Sequence, residues 1–323
     1  MIPTIVLLCT RTGDGPAADL LATEDAASFR RGHDNYIRVR SAAREQAEKR
    51  ISERGGKATG PHRQQFVDEV RAPHTGASGA STYETIDKLA RLLSEAVTDL
   101  KTKSWAGQHG QWGIFHDAYQ HSKTRFIYDE LQRARDDGRV PAHGATACEV
   151  GFLAGHTALL FAEALGPKSS VVSFDFGDTA WALDQGTLMS EAYGERFKII
   201  FGDSNRTVPK FHRTHPELRC DVAFIDGAKY PRPRLADIVH FKAMSRAGTL
   251  IFFDEATTFA CVSGKVDEGR CGNAWDGAPR AFNRASRAGL VQVTNCSVNP
   301  IPTRGRYNDW AGRTDNVCSA KYL

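Results

Sequence analysis

Beyond residue 144, short apolar runs alternate with amphipathic stretches along the chain. This alternation is typical of a parallel sheet that helices cover on both faces. The apolar runs predict strands over residues 147–150, 171–175, 197–201, 222–226 and 249–254, and the amphipathic stretches predict helices over 156–165, 179–193, 206–215, 233–245 and 278–288. Two last strands, 290–296 and 316–322, can pair as an antiparallel edge. We therefore predict an α/β fold with a Rossmann-like, seven-stranded, mostly parallel sheet.

Residues 1–110 predict a helical, partly flexible N-terminal extension. Residues 19–54 contain few large apolar side chains, so a helix there should be solvated, and the Gly, Ser, Pro and His content of residues 55–81 indicates a linker. A later helix should pack on the domain, because its apolar residues recur at steps of three and four: Ile86, Leu89, Leu93, Val97 and Leu100. Another helix is predicted over 115–137. We place the domain itself at residues 111–323.

The most informative segment is residues 148–156, where the first strand should turn into the first helix of the sheet. Gly151 permits a tight turn, and Gly155 permits close approach of the backbone to a ligand. The three-glycine fingerprint of dinucleotide sites is not matched. An acidic residue followed by two glycines four apart instead favours S-adenosylmethionine, which is cationic at sulfur and carries no phosphate. Glu149 is then suited to the positive methionyl end, directly or through water.

Acidic residues also follow the next two predicted strands. Asp175 ends the second strand and can accept hydrogen bonds from both hydroxyls of a ribose. Asp203 follows the third strand, and it or the neighbouring backbone can reach an adenine. The carboxyl ends of parallel strands meet in one crevice, so these residues should converge there with the glycine-rich turn.

With these motifs, the sequence resembles class I S-adenosylmethionine-dependent methyltransferases, particularly the branch of catechol and caffeoyl-CoA O-methyltransferases. The resemblance is strong over residues 145–255, looser to residue 323 and absent before about residue 115. Gly227 departs from it, because relatives of the catechol type often have a larger side chain against the adenine. The resemblance implies that S-adenosylmethionine is the cofactor and that it contacts Glu149, Gly151, Gly155, Asp175 and Asp203.

Three further acids should face the same crevice: Asp226 at the end of the fourth strand, and Asp254 and Glu255 at the end of the fifth. Carboxylates that lie close together repel unless a proton or a cation sits between them, and Mg²⁺ prefers oxygen ligands. The resemblance also implies a metal site, because cation-dependent O-methyltransferases use an Asp, an Asp-Asn pair and an Asp-x-x-Lys base. Asp226, Asp254 and the base Lys229 match, while Glu255 replaces the Asn. The alternative is acidic strand ends without metal and a solvated Lys229.

The function predicted from these motifs is methyl transfer from S-adenosylmethionine to a hydroxyl of a small-molecule acceptor. If the metal site is present, Mg²⁺ would assist this reaction. One alternative is an enzyme of the same fold acting on a macromolecule, which would dock through residues 30–71 with their 11 Lys/Arg and 6 Asp/Glu. Another is a non-catalytic cofactor-binding module. The net charge of +4, from 42 basic and 38 acidic residues, gives no reason to expect a nucleic-acid or membrane partner.

The cysteines leave the compartment open. Four of the seven lie near the C-terminus: Cys261, Cys271, Cys296 and Cys318. They can form two disulfides in the lumen of the secretory pathway, or they can be four thiols in the cytoplasm, which is our default expectation. Bridges between Cys296 and Cys318 and between Cys261 and Cys271 would suit the first alternative. Residues 2–9 form a poor signal peptide, and no apolar stretch reaches the roughly 18 residues of a membrane-spanning helix.

Overall fold

The computed structural model describes residues 26–53, 62–72, 81–96, 118–256, 277–297, 299–300, 314–315 and 317–323. Its sheet has seven strands: β1 (Thr146–Val150), β2 (Ser170–Asp175), β3 (Phe197–Phe201), β4 (Cys220–Ile225), β5 (Ser245–Phe253), β6 (Val291–Cys296) and β7 (Cys318–Tyr322). The strand order is β3-β2-β1-β4-β5-β7-β6. Strands β1 to β5 run parallel, and β7 is antiparallel to both β5 and β6. The predicted Rossmann-like sheet is therefore confirmed. Its last strand along the chain, β7, lies between β5 and the edge strand β6.

Helices cover both faces of this sheet. Four precede it in the chain: α1 (Ala26–Glu53), α2 (Arg63–Arg71), α3 (Tyr83–Glu95) and α4 (Ala118–Asp136). Five more lie between the strands along the chain: α5 (His156–Ala164), α6 (Ala180–Tyr193), α7 (Ser204–Thr214), α8 (Pro231–Ala243) and α9 (Gly277–Arg287). Helices α2 to α6 share one apolar cluster with the sheet, and α7 to α9 share a second cluster on its other face. The site-bearing strand ends are thus fixed from both sides.

The central strands are apolar on both faces because both are covered. Phe224 and Phe252 point to the first face, where they meet Phe161 of α5 at ring-centroid distances of 6.2 and 6.4 Å. Phe174 points to the second face and meets Phe211 of α7 and Phe241 of α8 at 5.5 and 5.9 Å. Each fully buried side chain of this size contributes on the order of 2 kcal/mol to the free energy of unfolding.

The N-terminal helices pack on the sheet domain more closely than the sequence suggests. Helix α2 lies inside the stretch predicted as a linker, and it buries Phe66, Val67 and Val70 in the first apolar cluster. Helix α1 is 28 residues long and mostly exposed, as expected, although it buries Ala47. Helix α3 confirms the predicted packing and ends at Glu95; Val97 and Leu100 lie outside the described residues.

The predicted pairing of the last two strands is present. Cys296 of β6 lies opposite Cys318 of β7, and a disulfide joins them. A second, unexpected disulfide joins Cys148 of β1 to Cys220 of β4. The predicted pair of Cys261 and Cys271 lies outside the described residues. Among the residues that the structure describes, no helix is long and apolar enough to cross a membrane.

Candidate active site

The turn between β1 and α5 lies at the carboxyl ends of the parallel strands, where sheets of this kind bind their ligands. Gly151 has φ +100°, and a Cβ atom there would overlap the carbonyl oxygen of Asp226 at the end of β4. Gly155 precedes α5 with φ +80°, and its Cβ would lie 2.8 Å from the ring of Phe152. Leu153 also adopts a positive φ, 47°, which a branched side chain rarely does. Tight packing therefore requires both predicted glycines.

Asp175 links this turn to the next loop. Its Oδ2 accepts a hydrogen bond of 3.1 Å from the backbone N–H of Leu153, and its Oδ1 accepts one of 2.7 Å from that of Gly177. A carboxylate held at both oxygens keeps a fixed orientation and still has lone pairs for two further donors. The position and anchoring of Asp175 suit the predicted contact with two ribose hydroxyls.

Glu149 is fully buried within the sheet. Its side chain is 0% exposed, and Oε1 accepts a hydrogen bond of 2.7 Å from Ser173 of the neighbouring strand. Oε2 is buried with no hydrogen-bond partner among the described residues. Burial raises the pKa of Glu149 to about 8, and the hydrogen bond from Ser173 only partly opposes this. A cation that reached this carboxyl group would restore its charge.

Asp203 caps a helix, which is the plainest role for an acid at a strand end. Its Oδ1 accepts a hydrogen bond of 3.1 Å from the backbone N–H of Asn205 in the first turn of α7. Oδ2 is buried without a hydrogen bond among the described residues.

Packing explains why glycine stands at position 227, where the catechol-type pattern often has a larger side chain. A Cβ atom at Gly227 would lie 2.7 Å from Val150 and 2.9 Å from Asp237. Core packing leaves no room for a larger side chain.

Asp226, Asp254 and Glu255 do converge, as predicted. Each offers a carboxylate oxygen, and the three oxygens lie within 4.8 Å of one another. They share one edge of the sheet because β4 and β5 are parallel neighbours, with Ile225 paired to Phe253. The cluster carries three negative charges if every carboxyl group is ionised.

Three basic side chains balance this acidic cluster. Lys123 of α4 forms an ion pair with Asp254. Lys229 forms one with Asp226 and lies 3.0 Å from Glu255. Arg234 of α8 is 2% exposed, and its Nη2 lies 3.6 Å from oxygens of both Asp226 and Glu255. Three cations therefore face three carboxylates within the described part of the chain.

These contacts set the protonation of the cluster. Burial lowers the pKa of Lys229, but Asp226 and Glu255 outweigh it, so the pKa lies above its ordinary value. A lysine that accepts a proton as a base needs a lowered pKa, and the structure gives the opposite direction for Lys229. Burial raises the pKa of Asp226, and the charge of Lys229 opposes it. At Asp254 the attraction of Lys123 and Lys229 exceeds the burial effect and lowers the pKa.

Residues 148–256 match the family model of a methyltransferase domain. This segment is a methyltransferase domain. No curated protein sequence matches the chain. A solved O-methyltransferase from Bacillus cereus in complex with SAH is 16% identical over 80% of this chain and 96% of that one, with a TM-score of 0.49. The O-methyltransferase TomG from Streptomyces achromogenes in complex with SAM is 16% identical over 64% of this chain and 91% of that one, with a TM-score of 0.44.

The methyltransferase domain contains the acids and glycines that the sequence motifs indicated. Two basic residues of the site, Lys123 and Arg234, lie outside those motifs and were not predicted. Lys123 comes from α4, before the domain match begins, and nothing in the spacing of that helix marks it. Arg234 stands eight positions after Asp226 in a helix with several basic residues. A buried arginine among them had no sequence signal of its own.

The basic segment 30–71 is partly engaged by the protein itself. Arg40 of α1 lies 2.7 Å from Asp178, and Arg63 of α2 forms an ion pair with Glu191 of α6. Arg71 donates a hydrogen bond of 2.7 Å to the backbone carbonyl of Glu191. Internal pairing of these side chains makes the segment less suited to dock a macromolecule.

Proposed function

We propose that the methyltransferase domain transfers the methyl group of S-adenosylmethionine to a hydroxyl of a small molecule such as a phenol, a catechol or a sugar. The observation that carries this proposal is the cluster of Asp226, Lys229, Asp254 and Glu255 at the same strand edge as Asp175 and Gly151. A donor site and charged groups for an oxygen nucleophile are therefore neighbours.

The cofactor half uses the residues of β1 to β3. Asp175 accepts hydrogen bonds from the ribose hydroxyls, and the close turn from Gly151 to Gly155 lets the cofactor approach the backbone. Glu149 faces the cationic methionyl end, directly or through water, and Asp203 with its loop lies at the adenine. These assignments fit the fixed carboxylate of Asp175 and the unsatisfied oxygens of Glu149 and Asp203.

The chemistry requires a nucleophilic oxygen. A neutral hydroxyl attacks a sulfonium methyl poorly, so the site must favour the ionised acceptor. The acceptor oxygen forms a bond to the methyl carbon as the carbon–sulfur bond breaks, which leaves a methyl ether and S-adenosylhomocysteine. The hydroxyl proton passes to solvent. Holding both reactants in line removes much of the entropic part of the barrier.

Lys229 is assigned a charged role in this reaction. Because it lies between Asp226 and Glu255 as an ammonium ion, it is suited to stabilise the acceptor oxyanion, and not to accept its proton as first predicted. A cation beside a hydroxyl lowers the pKa of that hydroxyl.

A divalent cation fits the oxygen donors of Asp226, Asp254 and Glu255, whose spacing within 4.8 Å and hardness suit Mg²⁺. When bound, such an ion supplies Lewis-acid activation of the acceptor oxygen. Lys229 already contacts two of these carboxylates. Metal and ammonium therefore compete for the same oxygens.

A methyl-transfer assay over a panel of phenols, catechols and sugars, run with chelator and with added Mg²⁺, tests the proposal. We expect methyl ethers from at least one class, loss of turnover in chelator, and recovery with Mg²⁺. Asp254→Ala should lower turnover far more than it lowers affinity for S-adenosylhomocysteine. Asp129→Ala is the matched control. It removes an ion pair with Arg125 within α4 and should change neither turnover nor affinity for S-adenosylhomocysteine.

The outcomes separate the parts of the proposal. A protein that does not bind S-adenosylhomocysteine in calorimetry contradicts the whole function. Full activity in excess chelator contradicts the metal and leaves Lys229 as the principal cation at the acceptor. Methylation of nitrogen or sulfur acceptors alone contradicts the hydroxyl assignment.

A further inference from the structure

Helix α1 contacts several of the loops at the carboxyl ends of the strands. In the first half of the helix, Tyr36 meets Tyr230 of the β4–α8 loop, with ring centroids 5.6 Å apart. One turn on, Arg40 contacts the loop after β2, and Arg44 then lies 5.9 Å from the ring centroid of Phe201 at the end of β3. The helix therefore touches, in order, the loops or ends of three strands that surround the predicted cofactor site.

Arg40 contacts two residues of the loop after β2. Its Nε lies 2.7 Å from Asp178, and its guanidinium carbon lies 5.2 Å from the ring centroid of Phe176. The two partners flank Gly177, whose backbone N–H donates to Asp175. A short path of contacts therefore runs from Arg40 to the carboxylate assigned to the ribose.

From these contacts we infer that α1 is a lid on the cofactor crevice and that Arg40 is a positioning residue, which holds the loop of residues 176–178 and thereby orients Asp175. Arg40 acts through this loop and not through contact with the reacting atoms. Cofactor entry and release then require α1 to separate from the loops. This inference rests on the proposed binding of S-adenosylmethionine.

The contact surface supports a lid that opens. Toward its C-terminal end α1 is anchored by Ala47, which packs with Ala180 and Leu183 of α6 in a small apolar cluster. Over the loops, the contacts are instead an ion pair, cation–π pairs and one aromatic pair of partly exposed side chains, with Arg40 34% exposed. Such contacts are individually weak. The part of α1 near the crevice can therefore separate while the anchored end stays in place.

The test compares Arg40→Gln with Arg38→Gln. Arg38 is an exposed residue of the same helix that donates to Asn35 and not to the loop, so the two variants lose the same charge. The first readout is amide hydrogen exchange of residues 170–183 in the cofactor-free protein. We expect faster exchange at Gly177 in Arg40→Gln and unchanged exchange in Arg38→Gln. Equal exchange in the two variants overturns the inference, whether or not a cofactor binds.

The second readout is the dissociation of S-adenosylhomocysteine. Arg40→Gln should raise its dissociation rate and its Kd about fivefold to tenfold, as expected for the loss of one ion pair and one cation–π contact. The charge exchange Arg40→Asp with Asp178→Arg should recover part of this loss, which a general loss of stability would not. Wild-type protein that fails to bind S-adenosylhomocysteine refutes the proposed function. Wild-type binding with an unaltered Arg40→Gln variant refutes only the lid.

Discussion

The buried carboxyl group of Glu149 makes a quantitative prediction about stability. In Glu149→Gln the side chain keeps its shape, and its amide oxygen can still accept the hydrogen bond from Ser173. What disappears is the ability to ionise. Glu149 has a pKa of about 8 in the folded protein against an ordinary value of 4.5, so the folded state holds a proton that the unfolded chain releases over this interval.

The sign follows from that proton. Because the folded state binds more protons than the unfolded state, stability falls as pH rises from about 4.5 towards 8 and then levels off. At about 1.36 kcal/mol for each pH unit, Glu149 should lower the free energy of unfolding by about 3 kcal/mol at pH 7 and by at most about 5 kcal/mol above pH 8. Glu149→Gln avoids this loss. The variant should equal wild type near pH 4.5 and exceed it progressively above that.

Urea unfolding of both proteins from pH 5 to pH 9, without cofactor, measures the difference, since other titrating groups affect both alike. The same variant should bind S-adenosylmethionine more weakly, because it lacks the charge for the methionyl end. A stability difference between the two proteins that does not change with pH would show that Glu149 is ionised in the fold and that the reasoning is wrong.

Three other substitutions test the site. Asp175→Ala should weaken S-adenosylhomocysteine at least about tenfold in calorimetry, since a hydrogen bond to a charged acceptor is worth about 1.5–3 kcal/mol, and unchanged affinity would exclude Asp175. Lys123→Met should destabilise the fold by about 3–5 kcal/mol, because it leaves Asp254 buried without its partner; Asp254→Asn added to it should recover stability in thermal unfolding, and strict additivity would argue against the pair. Lys229→Met should increase affinity for Mn²⁺ in calorimetry while lowering turnover, whereas unchanged affinity would show that lysine and metal do not compete.

The sequence predicts the sheet and the acidic edge well for one physical reason. Strand ends are marked by the change from apolar to polar residues, and parallel topology brings those ends to one edge whatever the details of packing. Asp175, Asp226 and Asp254 therefore meet without any knowledge of the helices. Sequence distance does not matter for such residues once the strands are recognised.

Contacts made by helices are not fixed in this way. The periodicity of a helix tells which residues face inward but not which part of the domain they meet, so Lys123 and the contacts of α1 with the strand-end loops had no sequence signal. The same holds for Cys148 and Cys220, whose pairing depends on β4 lying beside β1. Composition misled at α2, because three buried residues, Phe66, Val67 and Val70, are enough to order a short helix within a polar stretch.

Glu255 connects the backbone of the site to its charges. Its φ is 54°, in the left-handed region that Asn tolerates and that costs most other residues about 1–2 kcal/mol. The cation-dependent O-methyltransferases that the sequence resembles have Asn at this position, and Glu is less favourable than Asn in this backbone conformation. Its carboxylate lies 3.0 Å from Lys229 and 3.6 Å from Arg234.

With Asn at position 255, two carboxylates would face three cations, and burial would make the surplus positive charge expensive. With Glu the charges of Lys123, Lys229 and Arg234 are matched one to one. The strained glutamate and the basic side chains are therefore coupled: Glu255 supplies the third negative charge of the cluster, and the ion pairs with Lys229 and Arg234 offset the cost of its backbone conformation.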